Sequence, residues 1–523
     1  RPPRSTPKPS SAASDVYKRQ ILAGVFFAAD DQTVVVTILP QIMSDLRIEI
    51  TELHRAAWTV TGYLLGYVAI MPVMGGISDI IGRRTIYTWA LIIFSLGSVG
   101  TALTGSLNPL LEWQIFSDSS VTESLVKTTT TLEWVVITRI IQAIGAGALV
   151  PISIAMIGDL FKDNERSLPL GLVGAAAESG AVIGPLWGGV ITQFLSWQWV
   201  FWLNIPISIL VIITIFLFFP MSIGTNRKID YLGSILIVSG FCIVTLAFTE
   251  IGQSMLNTIM LSGLGIGLFF VYAMYASKNS NSVIPISLFK NLGFVTANIV
   301  HLLYGAALII TLVTIPLMAN TVLQGSPLDG GLMLGRLTIA IPVGAVVGSL
   351  ICRTYDVRLI AIPGMLLCTM SLIAMSTWDE KIADPWMTLH LISGGFGFGL
   401  LITPITLTAI NSASDTMKGA AAGIISASRF AGMTLGIAGL AAWGAGKFSE
   451  LLSGIRLPLP IKGETSVQVA EKNLQFQNEI TSAGVNLFSD FYILAAIICL
   501  LCAVILSLIH ISEPTRRTPI SYA

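Results

Sequence analysis

Among the ionisable residues inside long apolar runs of this chain are Asp30, Asp31, Arg139, Glu178, His301, Arg336 and Arg429. A charge at the centre of a bilayer costs about 2.5–3.5 kcal/mol even on insertion scales, so such residues mark ion or substrate pathways, proton relays or buried pairs. Asp31 is eleven residues into an apolar run that starts at Ile21, roughly 15 Å deep at ~1.5 Å per residue, hence near the midplane. A carboxylate whose protonation depends on the face it sees is what a proton-coupled carrier needs. A proton moving down 100 mV releases about 2.3 kcal/mol.

Asp31, Arg139 and Glu178 are therefore the candidates for proton coupling. Each has a second reading. Asp31 could be held permanently by an arginine that ties helices together, and Arg139 could be a structural pairing partner in place of a coupling group. Glu178 could be a second proton site or a group that recognises a cation. Arg429 reads as a packing residue, and His301 as a shuttle or as a hydrogen-bond partner of a neighbouring helix. Asp30, about 100° around the helix from Asp31, faces a different neighbour.

The elements that must carry these residues follow from composition. The 523 residues are 54% hydrophobic and 11% charged, with a mean hydropathy of +0.79, the signature of a multi-span membrane protein. Apolar runs long enough to cross ~30 Å of hydrocarbon lie near 21–43, 57–77, 86–104, 134–157, 168–194, 200–220 and 231–249. A second set lies near 256–276, 293–322, 328–352, 359–377, 386–410, 419–445 and 487–509. These fourteen runs are continuously apolar, which predicts an all-α membrane protein, not a barrel of alternating strands.

Charge in the loops sets the orientation. With the N-terminus inside, the cytoplasmic side carries Arg83, Arg84, Lys162, Arg166, Arg227, Lys228, Lys278, Lys290, Arg353, Arg358 and Lys418. The short outer loops carry Arg47, Arg55, Lys127 and Lys381, so both termini are expected in the cytoplasm of a cell with the chain in its inner (plasma) membrane. The formal net charge of zero predicts no nucleic-acid partner. The five cysteines lie in or beside apolar segments without metal-ligand spacing, which predicts neither disulfides nor metal. No cofactor is expected.

Four motifs carry more than composition. After the second run comes GGISDIIGRRTIY, from Gly75 to Tyr87, with Asp79, a turn at Gly82 and the pair Arg83 and Arg84. The fourth run contains TRIIQAIGAGALVP, Thr138 to Pro151, and the fifth ESGAVIGPLWGGV, Glu178 to Val190. In the fifth, Gly180, Gly184 and Gly188, four apart, make a smooth stripe for a neighbouring backbone, with Pro185 and Gly189 beside it suggesting a functional kink. WQWVFWLNIPI, Trp197 to Ile207, joins runs five and six, and the first run reads DQTVVVTILP, Asp31 to Pro40, with Pro40 expected to bend its outer end.

Together these resemble the major facilitator superfamily, and within it the fourteen-span drug:proton antiporter family, over about residues 20 to 509. Departures from the pattern are Ile77, Ile80, Ala143, Val36 and Ile38. The resemblance implies a cytoplasmic latch at Gly75, Asp79, Gly82, Arg83 and Arg84, and an antiporter motif at Gly180, Gly184, Pro185, Gly188 and Gly189. It implies two six-helix bundles, 20–220 and 291–509, separated by a linker with two extra helices, 221–290. Residues 1–19 and 510–523 read as non-native or disordered tails. An outer-loop insertion, 105–133, departs from the family; it reads as a tolerated loop, with a cap on the outer mouth or a partner-binding segment as the other readings.

The implied function is multidrug efflux: a monomer that exports hydrophobic or cationic small molecules in exchange for protons. Another solute, such as an amino acid, peptide or siderophore, and a non-transporting sensor remain the alternatives. Enzymatic chemistry is not expected, because the chain has no HExxH, no GxSxG and no phosphate-binding loop, GAGKF at Gly444 having Phe448 where Ser or Thr is required.

Overall fold

A computed structural model describes residues 11–46, 58–104, 132–161, 165–218, 228–250, 254–279, 282–325, 327–453 and 466–508, with isolated residues between them. Among the described residues there are fourteen long α-helices and no strand. They are α1 (Ser11–Asp45), α2 (Trp58–Ile81), α3 (Arg83–Ala102), α4 (Leu132–Leu160), α5 (Ser167–Phe194), α6 (Gln198–Phe218) and α7 (Tyr231–Thr249). The series continues with α8 (Met255–Lys278), α9 (Leu292–Thr321), α10 (Pro327–Ile351), α11 (Arg358–Ser376), α12 (Trp386–Asn411), α13 (Lys418–Leu452) and α14 (Ser466–Leu508).

Thirteen of these are long and apolar enough to cross a membrane in one piece. The fourteenth, α1, is long and apolar enough only as the pair Arg19–Val35 and Thr37–Asp45 taken together, bent by 48°. Pro40 lacks the amide hydrogen that would bond the carbonyl four residues back, which places the bend at residue 36, earlier than the outer end of the span. Helix α1 begins at Ser11, inside the stretch read from sequence as a tail.

Helices α1–α6 form one bundle and α9–α14 the other. In the first, α1 packs on α5, α2 on α4, and α3 on α4 and α6. In the second, α9 packs on α13 and α14, α10 on α12, and α11 on α12 and α14. The bundles meet where α2 crosses α13 and α5 crosses α10.

Helices α7 and α8 pack on each other, and α7 also leans on α2 and on α13, so the inserted pair sits across the seam between the bundles. Only 28% of the α7 span and 17% of the α8 span is buried, so both mostly face lipid. Asp230 ties the pair together. Its carboxylate caps α7 through Gly233 N (2.9 Å) and accepts from the Tyr275 hydroxyl (2.7 Å) and Val283 N (3.3 Å).

The segment between the last two spans, expected as a long loop, is largely helix: α13 runs to Leu452 and α14 starts at Ser466. At 43 residues α14 is roughly 64 Å long at ~1.5 Å per residue, twice a ~30 Å hydrocarbon layer. Its first half is polar and carries the helix formers Gln468, Glu471, Lys472, Leu474, Gln475, Gln477 and Glu479, so hydropathy misses it where propensity does not. Of the insertion expected at 105–133, residues 105–131 lie outside the described residues, as do 1–10 and 509–523.

Candidate functional site

Asp31 is fully buried at the centre of the first bundle and is the hub of a polar network. Arg139, from α4, donates through Nη1 to Asp31 Oδ2 at 2.6 Å and through Nη2 to the Asp31 carbonyl at 3.2 Å. Gln142 Nε2 and Asn204 Nδ2, from α4 and α6, each donate to Asp31 Oδ1 at 2.9 Å. Ser98 on α3 accepts from Gln142 at 2.6 Å, and Arg139 also donates to Gln142 Oε1 at 2.7 Å. The guanidinium sits 4.0 Å from the Tyr63 ring centroid. A buried carboxylate surrounded by three donor side chains from two other helices is stabilised as the anion, and it fixes α1, α4 and α6 against one another.

Glu178 and Arg429 form a second ion pair, and this one joins the two bundles through α5 and α13. Aromatic side chains enclose it. Tyr304 lies 5.6 Å from the Arg429 guanidinium, Phe430 5.8 Å, and Tyr67 stacks edge-on against Phe430 at 5.0 Å. His301 on α9 has its Nδ1 2.8 Å from the Ile425 carbonyl of α13 and lies beside Tyr304. Its contact is thus with the neighbouring helix.

The latch closes one face of the molecule. Asp79, near the C-terminus of α2, accepts from Gly419 N and Ala420 N, both at 3.0 Å, and so caps the first turn of α13 in the opposite bundle. Arg83 holds the same carboxylate at 2.8 Å and also pairs with Asp159 of α4. Two further hydrogen bonds cross the seam on this face, Lys418 Nζ to the Gly158 carbonyl (3.0 Å) and Arg166 to Asn411 (3.2 Å).

Backbones touch here: a methyl built on Gly75 would overlap the Gly419 carbonyl oxygen, and one on Gly419 would overlap that of Gly75. Gly82 has φ 111°, a conformation other residues rarely adopt, which turns the chain from α2 into α3. The two arginines divide: Arg83 serves the latch, whereas Arg84 donates to the Phe216 carbonyl at 2.8 Å on α6, within its own bundle.

The glycine stripe of α5 presses on α1. A methyl on Gly180 would meet the Phe26 carbonyl and Asp30 N, one on Gly184 the Thr33 hydroxyl and the Asp30 carbonyl, and one on Gly188 the Val34 side chain. Thr33 Oγ1 adds a hydrogen bond to the Ala181 carbonyl at 2.9 Å. Gly189 falls beside the stripe, with only an ordinary contact to Thr37, and α5 runs as unbroken helix through Pro185.

The structure thus brings Asp31 and Arg139 together, and separately Glu178 and Arg429, a partnership that the sequence reading does not make. Gln142, Asn204 and Ser98 are the members it misses. Arg336 is not a mid-membrane charge: it pairs with exposed Asp384 at 2.9 Å on the face opposite the latch. The Thr388 hydroxyl and Arg336 hold the Asp384 carboxyl below the usual carboxylate range. Among the described residues no cluster of His, Cys, Asp or Glu could hold a metal, and all five cysteines are free.

Residues 21–437 match the family model of the Major Facilitator Superfamily. The chain is 30% identical over 92% of its length to a triacylglyceride transporter of Mycolicibacterium smegmatis, covering 85% of that protein. It is 30% identical over 94% of both chains to a triacylglyceride transporter of Mycobacterium tuberculosis. In fold it is similar to the proton:xylose symporter XylE (TM-score 0.58, 14% identity, 93% of this chain and 95% of that one). It is also similar to the human organic anion transporter MFSD10 (TM-score 0.56, 13% identity, 93% and 99%). The shared architecture is that of multi-pass transporters, and this chain belongs to the Major Facilitator Superfamily.

Proposed function

We propose that the chain is a proton-coupled exporter of hydrophobic, uncharged molecules, with neutral glycerolipids as the substrate class. The observation that carries this reading is the pairing of two central carboxylates. Of the three buried carboxylates there, Asp31 and Glu178 are each engaged by an arginine and so are not free to attract a cation, and the seam beside Glu178 is lined by aromatic rings. Such a passage favours a substrate held by apolar and aromatic surface. The names of the relatives support the lipid class.

In this reading Asp31, Arg139 and Glu178 are the coupling residues in the sense that their ion pairs pass the effect of proton binding to the bundles. The Glu178–Arg429 pair and the Asp79 latch must break and re-form as one bundle rocks against the other, which makes them a two-state element. The latch face is the cytoplasmic one, the termini lie on the same side, and the protein works as a monomer in the plasma membrane. Export of cationic drugs is the second reading, favoured by the resemblance of the Asp31, Arg139 and Gly184 motifs to those of drug:proton antiporters.

Reconstitution separates the two. The purified chain in liposomes, with an imposed pH gradient, is expected to move a fluorescent triacylglycerol and to leave ethidium behind. Gradient-driven movement of ethidium without that of the lipid would reverse the assignment.

A further inference from the structure

We propose that Asp30, not Asp31, is the group that takes up and releases the coupled proton; this rests on the proton-coupled reading above. The two neighbours differ in what surrounds them. Asp31 has both carboxylate oxygens satisfied by Arg139, Gln142 and Asn204. Its carboxylate anchors that network and is the anion that keeps Arg139 from being buried unpaired. Asp30 is also buried, 4% exposed, yet its Oδ1 has no hydrogen-bond partner. A buried anion without a donor or counter-charge is the costliest state a carboxyl can adopt, and a proton relieves it.

The charged and titratable groups on the helices packed against α1 leave Asp30 without a counter-charge. Arg139 on α4 is taken by Asp31, and Glu178 on α5 is taken by Arg429. From α2 comes Tyr63, whose hydroxyl donates to the Ala28 carbonyl; α6 contributes the neutral Asn204; on α1 itself Asp31 is the adjacent charge.

Position supplies the coupling. The Asp30 backbone lies under Gly180 and Gly184, the stripe by which α5 grips α1. Glu178, two residues before Gly180, is the α5 end of the ion pair that joins the bundles. An O–H bond formed at Asp30 with a proton from one face, and broken to water on the other, changes the charge at the α1–α5 contact. That contact is two residues from the pair that must open.

The test uses the full chain in liposomes, with the pH-gradient-driven movement of a fluorescent triacylglycerol as one readout and pH-difference infrared spectra as the other. Wild type is expected to respond to the gradient and to show a titrating protonated-carboxyl band. Asp30→Asn, nearly isosteric, is expected to keep downhill movement, to lose at least tenfold of the gradient stimulation and to lose the band. Asp30→Glu should restore both. A responsive wild type whose stimulation and band persist in Asp30→Asn overturns this inference alone. A wild type indifferent to the gradient overturns the coupled reading and this inference with it.

Discussion

Replacing Arg139 by Gln should destabilise the first bundle far more than replacing Asp31 and Arg139 together. Both side chains are essentially inaccessible, at 1% and 0%. Removal of Arg139 leaves the Asp31 anion with two neutral donors in a low-dielectric site, and breaking a buried pair by deleting one partner costs about 3–5 kcal/mol. At about 1.4 kcal/mol per tenfold, this is at least a hundredfold change in the folding equilibrium. The double variant Asp31→Asn, Arg139→Gln removes the orphaned charge and keeps groups that hydrogen-bond. A coupling energy of about 2–3 kcal/mol between the positions is therefore expected. Reversible unfolding in mixed SDS and detergent micelles, followed by tryptophan fluorescence, measures all four corners of the cycle. Additivity of the two single losses to within about 0.5 kcal/mol would refute the argument, because Arg139 would then not be satisfying Asp31.

Gly75→Ala forces α2 and α13 apart at their closest approach, and should speed alkylation of a cysteine placed at Ala422 severalfold by weakening the closed latch; an unchanged rate counts against the contact. Asp79→Ala removes the cap of α13, worth about 0.5–2 kcal/mol, and should shift the same alkylation in the same direction. Glu178→Arg combined with Arg429→Glu should recover part of the transport that either single change abolishes in vesicles, whereas no recovery would mean that the pair is not what joins the bundles. For Arg336 and Asp384, the lowered carboxyl value means that the pair contributes above the unfolded pKa of about 3.9 and fades as pH falls through the lower folded value. Asp384→Asn should therefore shift thermal stability equally at pH 5 and pH 8; a shift confined to one of them would point to a different titrating group.

What could be read from sequence was what is local in sequence. Asp79, Gly82 and Arg83 lie within a five-residue motif whose turn and charge are visible as types and spacing. The Gly180, Gly184 and Gly188 stripe is a periodicity of one helix. The Asp31 network was half legible. The carboxylate and arginine announce themselves by the cost of burial, but their partners Gln142, Asn204 and Ser98 are neutral residues that no burial argument singles out. The 251 positions between Glu178 and Arg429 hid that pair, because nothing along the chain says which charge from one bundle meets which from the other. Polar length hid the last turns of α13, past residue 445, and the first half of α14. Nor could periodicity tell that α7 would lie across the α2–α13 seam, since lipid and protein present equally apolar surfaces to it.

The two ion pairs also differ in when they can exist. Arg139 follows Asp31 by 108 residues, and both belong to the first bundle, so that pair can close before the second bundle is made. Glu178 must wait for Arg429, 251 residues later. At about 5–20 residues per second, translation leaves it without its arginine for roughly 13–50 s. During that interval the nascent first bundle must keep Glu178 either protonated or wet. Biogenesis of the carrier thus passes through a half-molecule whose inner face is already charged, and the emergence of α13 both neutralises that face and closes the seam.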